Sequence, residues 1–400
     1  MSSATLPAAS YTRFLLGNAL WFLAFGLQSV VFPWLVVEVL RESPARVGLA
    51  QTFSLVPALP LLLVGGTLAD RFDPRRLLVA LHLVFALLCA GLAALVAAGG
   101  LSYPRLLGFA LLGGALSALQ VPARDAQLYP IARASLSRGV VGANLVTQGA
   151  QAAGGLAAAA LAALGAPAVL LVLAALALAG AIPVAALRSP AASPALAHAP
   201  RPGLAGIGAA LRAAWHSPVL RPVVLLNLAV GVLFVGPYGV VLPLLVRDVY
   251  GGGPREIGLL LAMLPLGGIV ASLAVFARGG IRRNGRALLL GQGFASLCIG
   301  ALAATPPFAG AAAAVLLWGV GSAFFLSAGR TLCFGYAPES QRATLLALHA
   351  LGILGGGVLG SLLCGGLVSV LGTPATLALQ AGAMLACLAL AALRTEAARV

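Results

Sequence analysis

The chain has 400 residues, of which 61% are apolar and only 8% charged. A soluble surface of this size is normally roughly a quarter charged, so these charges are too few to clothe one. The formal net charge is +15, but the basic residues are all arginine and sit in short clusters between apolar runs. That pattern reports membrane orientation and excludes nucleic acid as a partner.

The apolar runs lack the ~10-residue alternation of a membrane barrel, and ~20 apolar residues let a helix cross the ~30 Å hydrocarbon core. An all-α membrane protein is therefore expected. In chain order, helices are expected over about 14–39, 47–69, 77–99, 105–128, 139–164 and 167–187. After a polar stretch they resume over about 221–247, 256–278, 286–304, 308–333, 343–371 and 374–393. The first run is longer than the ~7–15 residues of a signal-peptide core, so it counts as a crossing. With the N-terminus inside, nineteen arginines fall in inner segments and five in outer ones. This bias supports twelve crossings, with both termini on the cytoplasmic side of an inner membrane.

Residues 188–220 form the longest polar stretch, with prolines at 190, 194, 200, 202 and 218. Within it Leu204, Ile207, Leu211 and Trp215 recur at helical spacing. The stretch is either a short amphipathic helix on the membrane surface or an irregular linker. On each side of it the sequence repeats at a shift of 210 residues: Pro33 with Pro243, Glu38 with Asp248, Pro44 with Pro254, Gly48 with Gly258, and Arg76 with Arg286. Arg124 with Arg330 and Gly165 with Gly372 continue the match at a slightly smaller shift. The repeat implies two six-helix halves of parallel topology, 1–187 and 221–400, with substrate held between them.

Between the second and third helices stands Gly66-Thr67-Leu68-Ala69-Asp70-Arg71-Phe72-Asp73-Pro74-Arg75-Arg76. It resembles the signature loop of the major facilitator superfamily, with Asp73 in place of a glycine and Pro74 in place of an arginine. This variant, with Pro122-Ala123-Arg124 and Ala143-Asn144-Leu145, is similar to the branch containing enterobactin exporters and macrolide efflux proteins. The fifth helix keeps Gly149, Gly154 and Gly155 but lacks the proline of the antiporter signature. The resemblance implies the major facilitator fold, two pseudo-symmetric halves and alternating access. It also implies that Asp70 latches the inner side, against the start of the eleventh helix or an arginine such as Arg124. Arg71, Arg75 and Arg76 either complete that latch or anchor the topology.

Polar groups inside a bilayer are costly and tend to face a cavity or a neighbouring helix. Asn18, Trp21, Phe25 and Gln28 form one helical stripe; Gln120 and Arg124 form another with Gly113, Ser117 and Gln127; Asn227, Phe234 and Tyr238 a third, with Gly231; Arg330, with Ser327, is the poorer fourth. These lie on the first, fourth, seventh and tenth helices, the ones that line the central cavity in the superfamily. Asp125, His82 and His349 are the side chains placed to carry a proton. The five cysteines lie in or at the ends of apolar runs and read as small buried hydrophobes, not as metal ligands or disulfides.

No H-E-x-x-H, G-x-S-x-G or Walker pattern is present, so neither an enzyme nor an ATP-driven pump is expected, and no cofactor or metal. The expected activity is export of a small hydrophobic compound by proton antiport; proton-coupled or facilitated uptake of a small metabolite is the alternative. The expected partners are the substrate, protons and the bilayer, with the chain a monomer. Reporter fusions in the 188–220 linker and at the C-terminus should both read cytoplasmic, and an outside reading at either place would overturn the topology.

Overall fold

The computed structural model describes residues 8–61, 73–131, 136–187, 204–278, 280–281, 283–336 and 342–394. Helix α1 runs Ala8–Trp34 and continues through a π turn, Leu35–Val39; α2 begins at Pro44–Leu55. Then come α3 (Pro74–Ala97), α4 (Tyr103–Ile131), α5 (Leu136–Leu161) and α6 (Ala166–Ala185). The second half holds α7 (Leu220–Asp248), α8 (Pro254–Ala277), α9 (Asn284–Ala303), α10 (Phe308–Tyr336), α11 (Arg342–Leu371) and α12 (Thr373–Arg394).

Among the described residues, 10 helices are long and apolar enough to cross a membrane. The two outside that set are α2, whose first described segment is only 12 residues, and α5, which carries Asn144, Thr147, Gln148 and Gln151 in its 26 residues. Large apolar side chains such as Leu87, Ile182, Phe276 and Leu393 stand exposed around the bundle, as lipid-facing groups do.

Local chemistry sets the helix ends. Asp73 caps α3 by accepting the Arg75 backbone N–H at 2.9 Å, with Pro74 in the first helical position. An N-cap carboxylate followed by proline satisfies one orphan donor and removes another, which explains why this loop carries Asp-Pro. Gly165 and Gly372, matched in the repeat, both take positive φ, at 82° and 78°, in the turns before α6 and α12.

The segment Leu204–His216 is helical and not irregular. Ala210 and Ala214 are buried while Leu211 and Trp215 are exposed. The helix touches α11 and the start of α7; small alanines permit that approach and leave the bulky groups outward.

The repeat is visible in helix packing. A Cβ built on Gly114 of α4 would collide with the Ser54 carbonyl of α2, and one on Gly319 of α10 with the Leu264 carbonyl of α8. Gly26 meets α5 at Gln151, while its counterpart Gly236 meets α11 at Gly360. Most telling is the pair Gly48 and Gly258. Gly48 of α2 lies against α11, where an added Cβ would stand 3.0 Å from the Gly365 Cα and closer still to the Ser361 carbonyl. Gly258 of α8 lies against α5, 2.9 Å from the Ala159 Cβ on the same construction. These crossed contacts join the halves at the ends of the helices away from the linker. Nearby, the Arg247 guanidinium donates to the Glu42 carbonyl at 3.3 Å, and the Thr52 hydroxyl lies 3.3 Å from the Val358 carbonyl. That end of the molecule is packed shut.

Replacing Gly48 by valine should wedge α2 from α11. Overpacking costs about 1–3 kcal/mol, which is a shift of roughly 5- to 150-fold in a conformational equilibrium. A cysteine at Gln51 should then react faster with an impermeant thiol reagent added from that side; an unchanged rate would show that Gly48 does not hold the closure.

Candidate functional site

Helix α1 presents one face to the centre because Trp21, Phe25, Gln28 and Phe32 recur at helical spacing. The helices of the first half supply most of a cavity of about 310 Å³, within the size range of small-molecule sites. Trp21, Phe22, Phe25, Gln28 and Phe32 line it from α1, Gln51 and Ser54 from α2, Ser117 and Gln120 from α4, and Gln151 from α5. The second half adds Tyr238, Gly239, Leu261 and Leu354. Among the described residues no charged side chain lines it. Polar handles therefore come from one half, and the other offers a mainly apolar wall.

Several glutamines fit where a glycine opposes them. A Cβ on Gly113 would stand 3.2 Å from the Gln28 amide nitrogen, and one on Gly239 would stand 2.9 Å from the Gln51 amide carbon. The Gln28 Oε1 is buried with no hydrogen-bond partner, an acceptor left for a ligand or water. Tyr238 donates its hydroxyl to the Leu261 carbonyl at 3.0 Å, so it offers its ring to the cavity.

Trp21, Phe25, Gln28, Gln120 and Tyr238 are thus placed around one space, but Asn18, Asn227, Phe234 and Arg330 lie off it. Phe234 is buried edge-on against Trp318 at 5.7 Å between ring centroids. The Asn227 amide donates to His349 Nδ1 at 2.5 Å. The stripe on α7 assumes an unbroken 3.6-residue period. The helix instead contains two π segments, Gly231–Val235 and Pro237–Val241; i→i+5 bonding changes the phase, so Asn227, Phe234 and Tyr238 do not share a face. Gln51 and Ser54 were not among the expected cavity residues. Their signal was available: Gln51, Ser54 and Ala58 follow at i, i+3 and i+7 in an otherwise apolar run.

Toward the linker end, Arg124 pairs with its neighbour Asp125, the guanidinium Nη2 standing 2.9 Å from Oδ1, and lies over the Phe22 ring at 5.7 Å. Arg330 lies where the charges of both reach it. His82 is buried behind Trp21, with ring centroids 4.8 Å apart. Of the signature loop, Gly66, Asp70 and Arg71 lie outside the described residues. Arg75 contributes its backbone N–H to the α3 cap, and Arg76 extends into solvent 3.9 Å from Asp73. Among the described residues no cluster of metal-ligating side chains occurs.

Two six-helix units crossing around a central cavity define a transporter of the major facilitator type, not an enzyme. Within that superfamily the chain belongs to the transmembrane secretion effector family, whose model matches residues 12–398. Solved structures agree on the fold. The nucleoside transporter NupG superposes with a TM-score of 0.76 at 12% identity, covering 96% of this chain and 98% of that one. The POT family transporter PepTSo gives 0.73 at 14% identity, with 96% and 97% covered. The human organic anion transporter MFSD10 gives 0.63 at 18% identity, with 96% and 100% covered. No curated protein matches the chain.

Single cysteines at Gln28, Gln51 and Gln120, in a background free of native cysteine, should react with a small water-soluble thiol reagent. A cysteine at Phe234 should react at least about tenfold more slowly, because reaction there waits for local opening. Equal rates at all four positions would mean the space is not an aqueous cavity.

Proposed function

We propose that this protein exports a small, neutral, largely apolar molecule from the cytoplasm by proton antiport, through alternating access of one cavity between two halves, 1–187 and 221–400, joined by the 188–220 linker. The observation that carries this reading is the cavity wall: glutamines and aromatics, with no charged side chain among its described lining residues. A charged nutrient taken out of water needs an opposite charge in such a wall. A neutral compound needs only apolar area and a few hydrogen bonds, which Gln28, Gln51, Gln120 and Gln151 supply. The family's description as secretion effectors supports outward movement. The arginine distribution supports an inner-membrane location with both termini cytoplasmic, and the cavity lies within a single chain, in keeping with a monomer.

Energy comes from the proton gradient in this reading, with Asp125, His82 and His349 as the groups able to carry the proton. Radiolabelled chloramphenicol, which is neutral and aromatic with amide and hydroxyl groups, is a fitting first probe in proteoliposomes, with a macrolide and a siderophore as larger, charged comparisons that should move poorly. Outward-directed flux that accelerates under an inward proton gradient is the expected result. Flux of chloramphenicol in the uptake direction alone would favour the metabolite-uptake alternative.

In this reading Asp70 is the carboxylate of the inner latch, and Gly66, Arg71, Arg75, Arg76 and Arg124 are the other residues assigned to it. A charge-assisted contact of this kind contributes about 1–3 kcal/mol, and ~1.4 kcal/mol is tenfold in an equilibrium. Asp70→Asn keeps the shape and removes the charge. It should favour the inward-open state and lower turnover several-fold, with membrane insertion unchanged because the topology-setting arginines remain. Wild-type transport with unchanged cysteine accessibility on both sides would remove Asp70 from the mechanism.

A further inference from the structure

Behind Trp21, between α1, α3, α4 and α6, lies a second, much smaller void of about 10 Å³, lined by Phe14, Gly17, Asn18, Leu78, His82, Gln120, Arg124 and Val184. Its size is that of a single water. Asn18 is 4% exposed and His82 is 1% exposed. Each has one buried polar atom with no partner: Asn18 Oδ1 and His82 Nε2.

Both atoms are acceptors, and two independent hydrogen-bond chains fix them as such. His82 Nδ1 lies 2.8 Å from the Leu78 carbonyl. A carbonyl only accepts, so Nδ1 carries the proton and Nε2 is bare in the neutral ring. The Thr147 hydroxyl donates to the Ala143 carbonyl at 2.9 Å and therefore accepts from Asn18 Nδ2, also at 2.9 Å. That sets the amide orientation and leaves Oδ1 as the free acceptor. Two acceptors cannot bond each other. A water, with two donor hydrogens, satisfies both at once.

We infer that this chamber holds one structural water bridging Asn18 Oδ1 and His82 Nε2, and that His82 is the side chain that takes up the transported proton through it. The coupling role rests on the proton-antiport reading; the water site does not. The proton passes from bulk water through the bound water to Nε2, giving an imidazolium, and leaves by the reverse transfer when the conformation changes.

The charged group that faces the chamber among the described residues is Arg124 on α4, partly neutralised by Asp125. Trp21 of α1 and Gly180 of α6 meet the ring, and Gly17, Asn18 and Val184 of those helices share the chamber with it, none of them titratable. Gly180 makes room for the imidazole, since a Cβ there would stand 2.8 Å from His82 Cδ2. The chamber adjoins the substrate cavity. Gln120 lines both spaces, and Trp21 lines the cavity with its ring against His82. The other groups are less suited: His349 Nδ1 already accepts from Asn227, and the Asp125 carboxylate is held by its own neighbour Arg124.

The test is nitrogen NMR of the full chain in bilayers with 15N-labelled histidine, the His82 signals being assigned by their loss in His82→Gln. The expected spectrum shows an Nδ1–H tautomer, a water cross-peak at Nε2, and protonation of the ring within the pH range over which transport is driven. Asn18→Leu, which is nearly isosteric, should abolish the cross-peak and move the titration midpoint by about one pH unit or more. A dry Nε2, or a ring that does not titrate in that range, overturns the proposal from the wild-type spectrum alone. In proteoliposomes, the ratio of chloramphenicol flux under a proton gradient to flux at equal pH should fall to about one in His82→Gln; a ratio unchanged from wild type overturns the coupling role. If the wild type itself shows no acceleration by the gradient, the antiport reading fails and takes the coupling role with it, while the spectrum still decides the water site.

Discussion

The structure depends on backbone meeting backbone where the two halves cross. α2 lies on α11 through Gly48 and Gly365, and α5 lies on α8 through Gly155 and Gly258. In a bilayer no hydrophobic force drives one helix onto another, since lipid is as apolar as leucine; packing and close approach do it. Side chains larger than hydrogen at these positions would hold the helices apart. Because both contacts lie at one end of the molecule, closing them gathers the helix centres around a cavity and shuts it from one side. Two symmetric contacts of modest strength also suit a transporter, which must break them once per cycle.

The cavity that results is less symmetric than the chain that makes it. The repeat matches Gln28 with Tyr238, yet the first half contributes amides while the second contributes a ring whose hydroxyl is already bonded. Two π segments in α7 turn Phe234 and Asn227 away. A ligand with polar groups on one edge would therefore orient itself, polar edge to the first half. Under the proposed alternating access, rocking one half against the other would change the apolar wall more than the hydrogen-bonding wall, and substrate would move with the first half.

Much of the fold could be read from the residues. Apolar run length, the arginine split and the 210-residue repeat act through burial and charge, which depend on composition and not on geometry. Gly48 and Gly258, matched in the repeat, turned out to hold equivalent interfaces. The site was less legible. Trp21, Phe25, Gln28 and Gln120 were found because α1 and α4 keep a regular period through the cavity region. Gln51 was passed over because a lone amide in an apolar run resembles helix–helix packing until its neighbour Gly239 is known.

By itself the sequence determined that this is a multi-helix membrane protein of two repeated halves, and its signature loop pointed to the superfamily. These follow from local properties: hydropathy, charge and motif spacing. Only the tertiary structure decided which polar residues meet. Asn18 and His82 are 64 positions apart, and nothing in either segment announces the other. Both residues line one small void, where Gly180 on a third helix leaves space for the imidazole, and Leu78 and Thr147 fix which of their atoms are bare. Hydrogen-bond saturation belongs to the folded neighbourhood and not to any one residue, so no reading of periodicity could have supplied it.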